Sequence, residues 1–181
     1  MMRTLPTLSR RQLVKLGAVA GLPRLGAQAQ SAPSVEPLRS VFLMDLIAET
    51  AAAIPAGSRN IVPVLNGTFE GPRLKGTITG PGGDWTTRRP DGVTILDVRL
   101  ILQTDDNQRI YVTYRGVVYR PPQQPVAAGG GPAASAAPTY FRITPVFETT
   151  SSKYDWLNRI VAVGSAFTVP GKVAYHIYEI L

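Results

Sequence analysis

The sequence predicts an all-β protein: a single antiparallel β-barrel of lipocalin-like size, with about eight to nine strands and one short helical turn. Three observations lead there. From Leu38 onward, apolar and polar residues alternate with period two in runs rich in Val, Ile, Thr and Tyr. The runs are separated at short intervals by Gly, Pro, Asn and Asp, the turn residues of an antiparallel meander. Closing that many strands on themselves leaves no exposed edge, which favours a barrel over a sandwich.

Taken in order, the candidate strands are 38–48, 60–65, 74–79, 93–103, 109–119, 140–149, 159–168 and 172–180. Asp105-Asp106-Asn107-Gln108 is a turn, so 93–103 and 109–119 form a hairpin. One face of that hairpin carries Leu96, Val98, Leu100, Leu102, Ile110, Val112 and Tyr114; the other carries Asp97, Arg99, Tyr111, Thr113 and Arg115. Periodicity leaves open which face looks inward. Residues 153–158 read as a helical turn, and Ala51–Ala53 is ambiguous. Residues 120–139 hold five prolines, a Gly129-Gly130-Gly131 run and, after Arg120, no charge: a long flexible loop, either a flap over a barrel mouth or a solvated insertion.

The charge is unevenly placed. The formal net charge is +7, but residues 1–30 carry five basic residues and no acid. The remainder holds fourteen basic against twelve acidic residues, too balanced to grip phosphates, so no nucleic-acid partner is expected. Ser9-Arg10-Arg11-Gln12-Leu13-Val14-Lys15, then the mildly apolar Leu16–Leu22, then Ala27-Gln28-Ala29, read as a twin-arginine-type signal peptide over 1–29. The expected consequences are recognition by the twin-arginine export machinery through Arg10 and Arg11, cleavage near Ala29, and a periplasmic or secreted protein. The apolar run is too short for a stable membrane anchor. Residues 30–37 become a tether and 38–181 the barrel domain. With no cysteine and one histidine, thiolate chemistry and multi-histidine metal sites are excluded; no nucleotide-cofactor motif is present, and no cofactor is expected.

Four segments carry a resemblance: Asn66-Gly67-Thr68-Phe69-Glu70-Gly71-Pro72, Pro81-Gly82-Gly83-Asp84-Trp85, Tyr140-Phe141-Arg142-x-Thr144-Pro145 and Tyr154-x-Trp156-Leu157-Asn158. With Arg89-x-Asp91-Gly92 and Val173-x-Tyr175-x-Ile177-Tyr178, they resemble the domain-of-unknown-function family with serial number 3237, over about Leu38–Leu181. That family's usual Gly-Gly-Ala-Asp-Trp block is one small residue shorter here. The resemblance implies a small lipocalin-like barrel and no established activity.

Asp84 beside Trp85 is the first candidate catalytic acid or base, because a carboxyl against an apolar wall has its pKa raised; the alternative is a turn-closing Asp with Trp85 plugging a barrel end. Glu70 is a candidate second carboxylate facing Asp84 across a mouth. Ligand-binding candidates are Trp85, Arg88, Asp91, Tyr140, Arg142, Trp156 and Asn158. Tyr140, Arg142 and Thr144 share one strand face, where Arg142 would clamp an anion and Tyr140 donate a hydrogen bond if that face lines the lumen. Trp156 and Leu157 also suit a plug, with Asn158 capping backbone groups. His176 reads as an ordinary barrel residue, and Ser165 lacks a nucleophile elbow.

Two functions follow. One is an exported barrel that binds an apolar or aromatic small molecule in its lumen or at its mouth. The other is a cofactor-free lyase, isomerase or cyclase, with Asp84 or Glu70 as base and Arg142 or Tyr140 steadying a developing oxyanion. An uncovered apolar outer face would call for a homo-oligomer.

Overall fold

The computed structural model describes residues 35–121 and 138–181; the segment 1–29 read as a signal peptide, most of the segment 30–37 read as a tether and most of the 120–139 segment lie outside them. The strands are β1 (Ser40–Thr50), β2 (Ile54–Ala56), β3 (Arg59–Glu70), β4 (Lys75–Arg88), β5 (Thr94–Thr104), β6 (Arg109–Tyr119), β7 (Tyr140–Glu148), β8 (Val161–Val169) and β9 (Lys172–Ile180). A 3-10 turn, Asp155–Arg159, lies between β7 and β8. The order is β1-β9-β8-β7-β6-β5-β4-β3-β2, and β1 also pairs with β3. Eight antiparallel strands therefore close into a barrel, with β2 an extra three-residue strand on β3.

Alternation decides what fills it. Leu96, Val98, Leu100, Leu102, Ile110, Val112, Ile143, Phe147, Leu46 and Ile177 are buried and pack one another across the lumen. The apolar face of the 93–119 hairpin looks inward, and Arg99, Tyr111 and Arg115 look out. This interior is a packed core rather than an empty calyx, and its burial drives folding. Among the described residues, no helix is long and apolar enough to cross a membrane.

β3 and β4 run much further than the Gly- and Pro-punctuated segments 60–65 and 74–79 suggest. Register shifts between Pro63 and Gly67 and between Thr79 and Gly83 absorb those residues as bulges inside long strands, instead of ending them. Asp84 and Trp85 consequently sit on a strand, not in a loop.

Closure of the ring depends on Gly67, which pairs with Ala48 across the β1–β3 seam. A Cβ there would overlap the Ile47 carbonyl oxygen and come within 2.6 Å of Ile78 Cδ1. Gly67→Val is expected to open the seam and cost at least about 3 kcal/mol by overpacking and lost pairing; a urea midpoint close to that of the wild type would refute this.

One end of the barrel is plugged. The 3-10 turn drops Tyr154 and Leu157 into the core there. Tyr154 Oη donates to Asp106 Oδ1 at 3.1 Å and Lys153 Nζ contacts Asp106 Oδ2 at 2.6 Å, which ties the plug to the β5–β6 turn. The Lys153 ammonium holds the Asp106 carboxyl down at about 2, so this tie persists to strongly acid pH. The opposite end carries the β4–β5 and β8–β9 turns and the starts of β3 and β7.

Candidate functional site

Strand register brings a carboxyl into the apolar interior near that opposite end. Asp84 pairs with Val62 on one side and Val98 on the other, and Val98 pairs with Tyr114. Paired residues share a face, so Asp84 points inward beside Val98 and Tyr114. Across the lumen, the Tyr114 ring meets the Tyr175 ring edge-on, with centroids 5.8 Å apart. Tyr175 in turn meets Phe141 edge-on at 5.3 Å. Asp84 is half-buried, whereas Tyr114 and Tyr175 are 7% and 1% exposed.

Burial sets the electrostatics. The Asp84 carboxyl is pushed up to about 6, chiefly by desolvation, with the charge of nearby Asp97 adding to it. The Asp97 amide donates to Asp84 Oδ1 at 3.0 Å and partly offsets this. Burial also pushes both phenols well above their ordinary range; each phenol acts on the other, and the Asp84 charge adds to the upward shift. The result is one carboxyl that changes charge near pH 6, beside two hydroxyls that stay neutral. Such a set can take a proton from a substrate and offer a hydrogen bond to the oxyanion left behind.

A groove opens at the same end. β7 and β8 are in register only at Arg142–Ser165 and Ile143–Gly164, so the strands part beyond that pair. The gap is a groove of about 480 Å³ lined by Phe141, Ala166, Phe167, Thr168, Val173 and Ala174, with Arg120, Thr139 and Lys172 around it. Phe141 both lines this groove and packs on Tyr175.

The other sequence candidates lie elsewhere. Glu70 does not face Asp84: it sits at the plugged end, paired with Lys75 and Asp45 on the outer wall, eight residues along β3 from Asp84's partner Val62. Tyr140, Arg142 and Thr144 also point outward, because β7 turns Phe141, Ile143, Pro145 and Phe147 inward. Arg142 donates to the Phe141 carbonyl at 2.9 Å and stacks over Tyr140. Trp85 lies on the outer wall with Arg99 over its ring, Arg59 donates to its backbone carbonyl at 3.3 Å, and Arg88 is exposed at the end of β4. Asp91 closes the β4–β5 turn, accepting from the Val93 amide at 3.1 Å and pairing with Arg89. Trp156 packs on the plugged end under Arg73, whose guanidinium also pairs with Glu179.

Asn158 exchanges two 2.9 Å hydrogen bonds with the Thr149 backbone. Asn158→Ala is expected to lower stability by about 1–3 kcal/mol through the orphaned Thr149 groups, and to leave the pH dependence of unfolding unchanged. Urea titrations at two pH values measure both. Among the described residues no cluster of His, Asp and Glu is arranged to hold a metal ion.

The family model for proteins of unknown function designated DUF3237 matches residues 37–180, nearly the whole described chain. The chain belongs to this family. Among DUF3237 relatives, a UPF0311 protein of Clostridium acetobutylicum is 32% identical over 124 residues, 68% of this chain and 78% of that one. The hydroalkoxylation enzyme phnH of Penicillium herquei is 30% identical over 153 residues, 84% of this chain and 86% of that one. Among solved structures, a beta-barrel-like protein from Acinetobacter baumannii AYE superposes with a TM-score of 0.71 at 34% identity, over 83% of this chain and all of that one. The DUF3237 barrel is thus shared with bacterial and fungal proteins.

Sequence reasoning reaches Asp84 and misses its partners. Tyr114 reads as one more apolar residue on the hairpin's inner stripe, and Tyr175 as a neighbour of His176. The available signal is a phenol on an otherwise aliphatic inward face, since a buried hydroxyl has to find a polar partner. His176 itself lies on the outer wall, its Nδ1 2.5 Å from Asp45 Oδ1.

Proposed function

We propose that this protein is an acid–base catalyst that isomerises or cyclises a small apolar or aromatic molecule, with Asp84 as the base and the Tyr114–Tyr175 pair steadying the oxyanion. The observation that carries the reading is the inward-facing carboxyl raised to about 6 beside two buried phenols. Tyr140 and Arg142 face solvent and leave that task to the interior tyrosines. In the cycle, Asp84 removes a proton from a substrate hydroxyl, the new oxyanion adds to a C=C bond conjugated to a carbonyl, and the negative charge moves onto that carbonyl oxygen, held by a tyrosine hydroxyl. Asp84 then returns its proton to carbon. Nothing is gained or lost, and the product is an isomer. The similarity to a hydroalkoxylation enzyme supports this class, since that chemistry adds an O–H bond across C=C.

The packed lumen weighs against the alternative of a pure carrier with an internal cargo, and a ligand would sit at the mouth. The test is a panel of phenols bearing side chains whose C=C bond is conjugated to a carbonyl, followed for isomeric cyclic ethers in D₂O. Conversion with one carbon-bound deuterium is the expected result. Carbon-13 titration of the Asp84 carboxyl gives an independent readout: a midpoint near 4 would overturn the assigned base.

We also propose export by the twin-arginine route, on the strength of Ser9–Lys15 and the apolar run after it. Arg10→Lys with Arg11→Lys is expected to leave the precursor inside the cell; fractionation that still finds processed protein outside would refute it.

A further inference from the structure

We infer that the split between β7 and β8 is the substrate groove and that its occupant is a flat aromatic anion, a carboxylate or phenolate of two or three rings. The inference rests on the proton-transfer reading for the chemistry, but its binding evidence is separate.

The seam is built differently from its neighbours: β6–β7 and β8–β9 each keep nine register pairs, and β7–β8 keeps two. The parted strands leave room because Ala166 and Ala174 project little side chain, and the volume of about 480 Å³ suits a drug-sized ring system. Phe141 from the inner face and Phe167 from the outer each contribute aromatic surface to the lining, on which a planar guest can stack. Phe167 is held in place beforehand. Its ring lies parallel to His176, with centroids 4.0 Å apart, and His176 is pinned through Nδ1 by Asp45. A fixed wall costs the guest little ordering.

Charge selects the guest. Among the described residues no acidic side chain lines the groove, whereas Arg120 and Lys172 both do. Lys172 is paired with Glu49 at 2.7 Å. Among the described residues Arg120 has no carboxylate partner, so its guanidinium fork is available to a carboxylate or phenolate. Phe141 places the guest one ring away from Tyr175, and hence beside the tyrosine pair.

Isothermal titration of the purified protein with 2-naphthoate and its neutral isostere 2-naphthamide tests this. The naphthoate is expected to bind at least tenfold more tightly than the amide. Arg120→Gln removes that preference while leaving naphthamide affinity within twofold. Thr168→Phe, at an exposed position, fills the groove and abolishes binding of both. Failure of the wild type to bind either probe, a naphthoate preference that survives Arg120→Gln, or wild-type affinity in Thr168→Phe would each overturn the groove assignment. The carboxyl titration of Asp84 stands or falls independently of these results.

Discussion

Asp84→Asn is expected to lower turnover of a cyclising alkenyl phenol by at least about 100-fold and, at pH 8, to make the protein more stable than the wild type. The two effects have one cause. In the unfolded chain the carboxyl titrates near its ordinary value of 3.8, while in the barrel it titrates at about 6. Between those values the unfolded chain ionises and the folded chain resists, so wild-type stability falls as pH rises through that window. Moving a carboxyl's midpoint tenfold in proton concentration is worth about 1.4 kcal/mol, so the penalty at pH 8 is on the order of 1–3 kcal/mol. An asparagine carries no such penalty, and its side-chain oxygen still accepts from the Asp97 amide. At pH 4 the advantage shrinks to a fraction of this. Thermal melts at the two pH values read it directly, as a gain of roughly 3–8 °C at pH 8. Activity of the wild type should rise through a midpoint near pH 6 as the base ionises. A variant that keeps its activity, or is no more stable at pH 8 than at pH 4 relative to the wild type, would show that Asp84 is neither strained nor used.

How far the sequence reaches is visible in these residues. The barrel is legible because the hairpin stripe Leu96–Leu102 and Ile110–Tyr114 alternates without interruption, and alternation is a local property. Asp84 stands out because a carboxyl beside Trp85 is locally odd. Its true surroundings are not legible, since Tyr175 reaches it only when β9 pairs with β1 and β1 with β3, a long-range closure no short window contains. Glu70 is misplaced by the sequence for a related reason: the bulge between Pro63 and Gly67 prolongs β3 through residues that read as a turn and carries Glu70 to the far end. Tyr140 and Arg142 do share one face, but period two does not say which face is inside. Phe141, Ile143 and Phe147 on the opposite face decide it, by burying the larger apolar area.

The tyrosine pair yields the second large effect, and one that separates structure from catalysis. The two phenols are buried against each other in the core, each the other's polar neighbour. Tyr114→Phe or Tyr175→Phe alone leaves the surviving hydroxyl buried without its partner, at a cost of about 1–3 kcal/mol. Replacing both removes donor and acceptor together, so the double variant is expected to recover most of that loss, as two apolar rings of the same shape can pack as the tyrosines do. Activity should behave in the opposite way. If the pair steadies an oxyanion, each single variant loses about 10- to 1,000-fold in kcat with a small change in KM, and the double variant loses as much or more despite its recovered stability. A merely structural pair would instead have activity follow stability, low in the singles and restored in the double. Urea unfolding and turnover on the same four proteins therefore distinguish the roles. Recovery of both in the double variant would leave the tyrosines as core packing and move the oxyanion's hydrogen bond elsewhere on the barrel mouth.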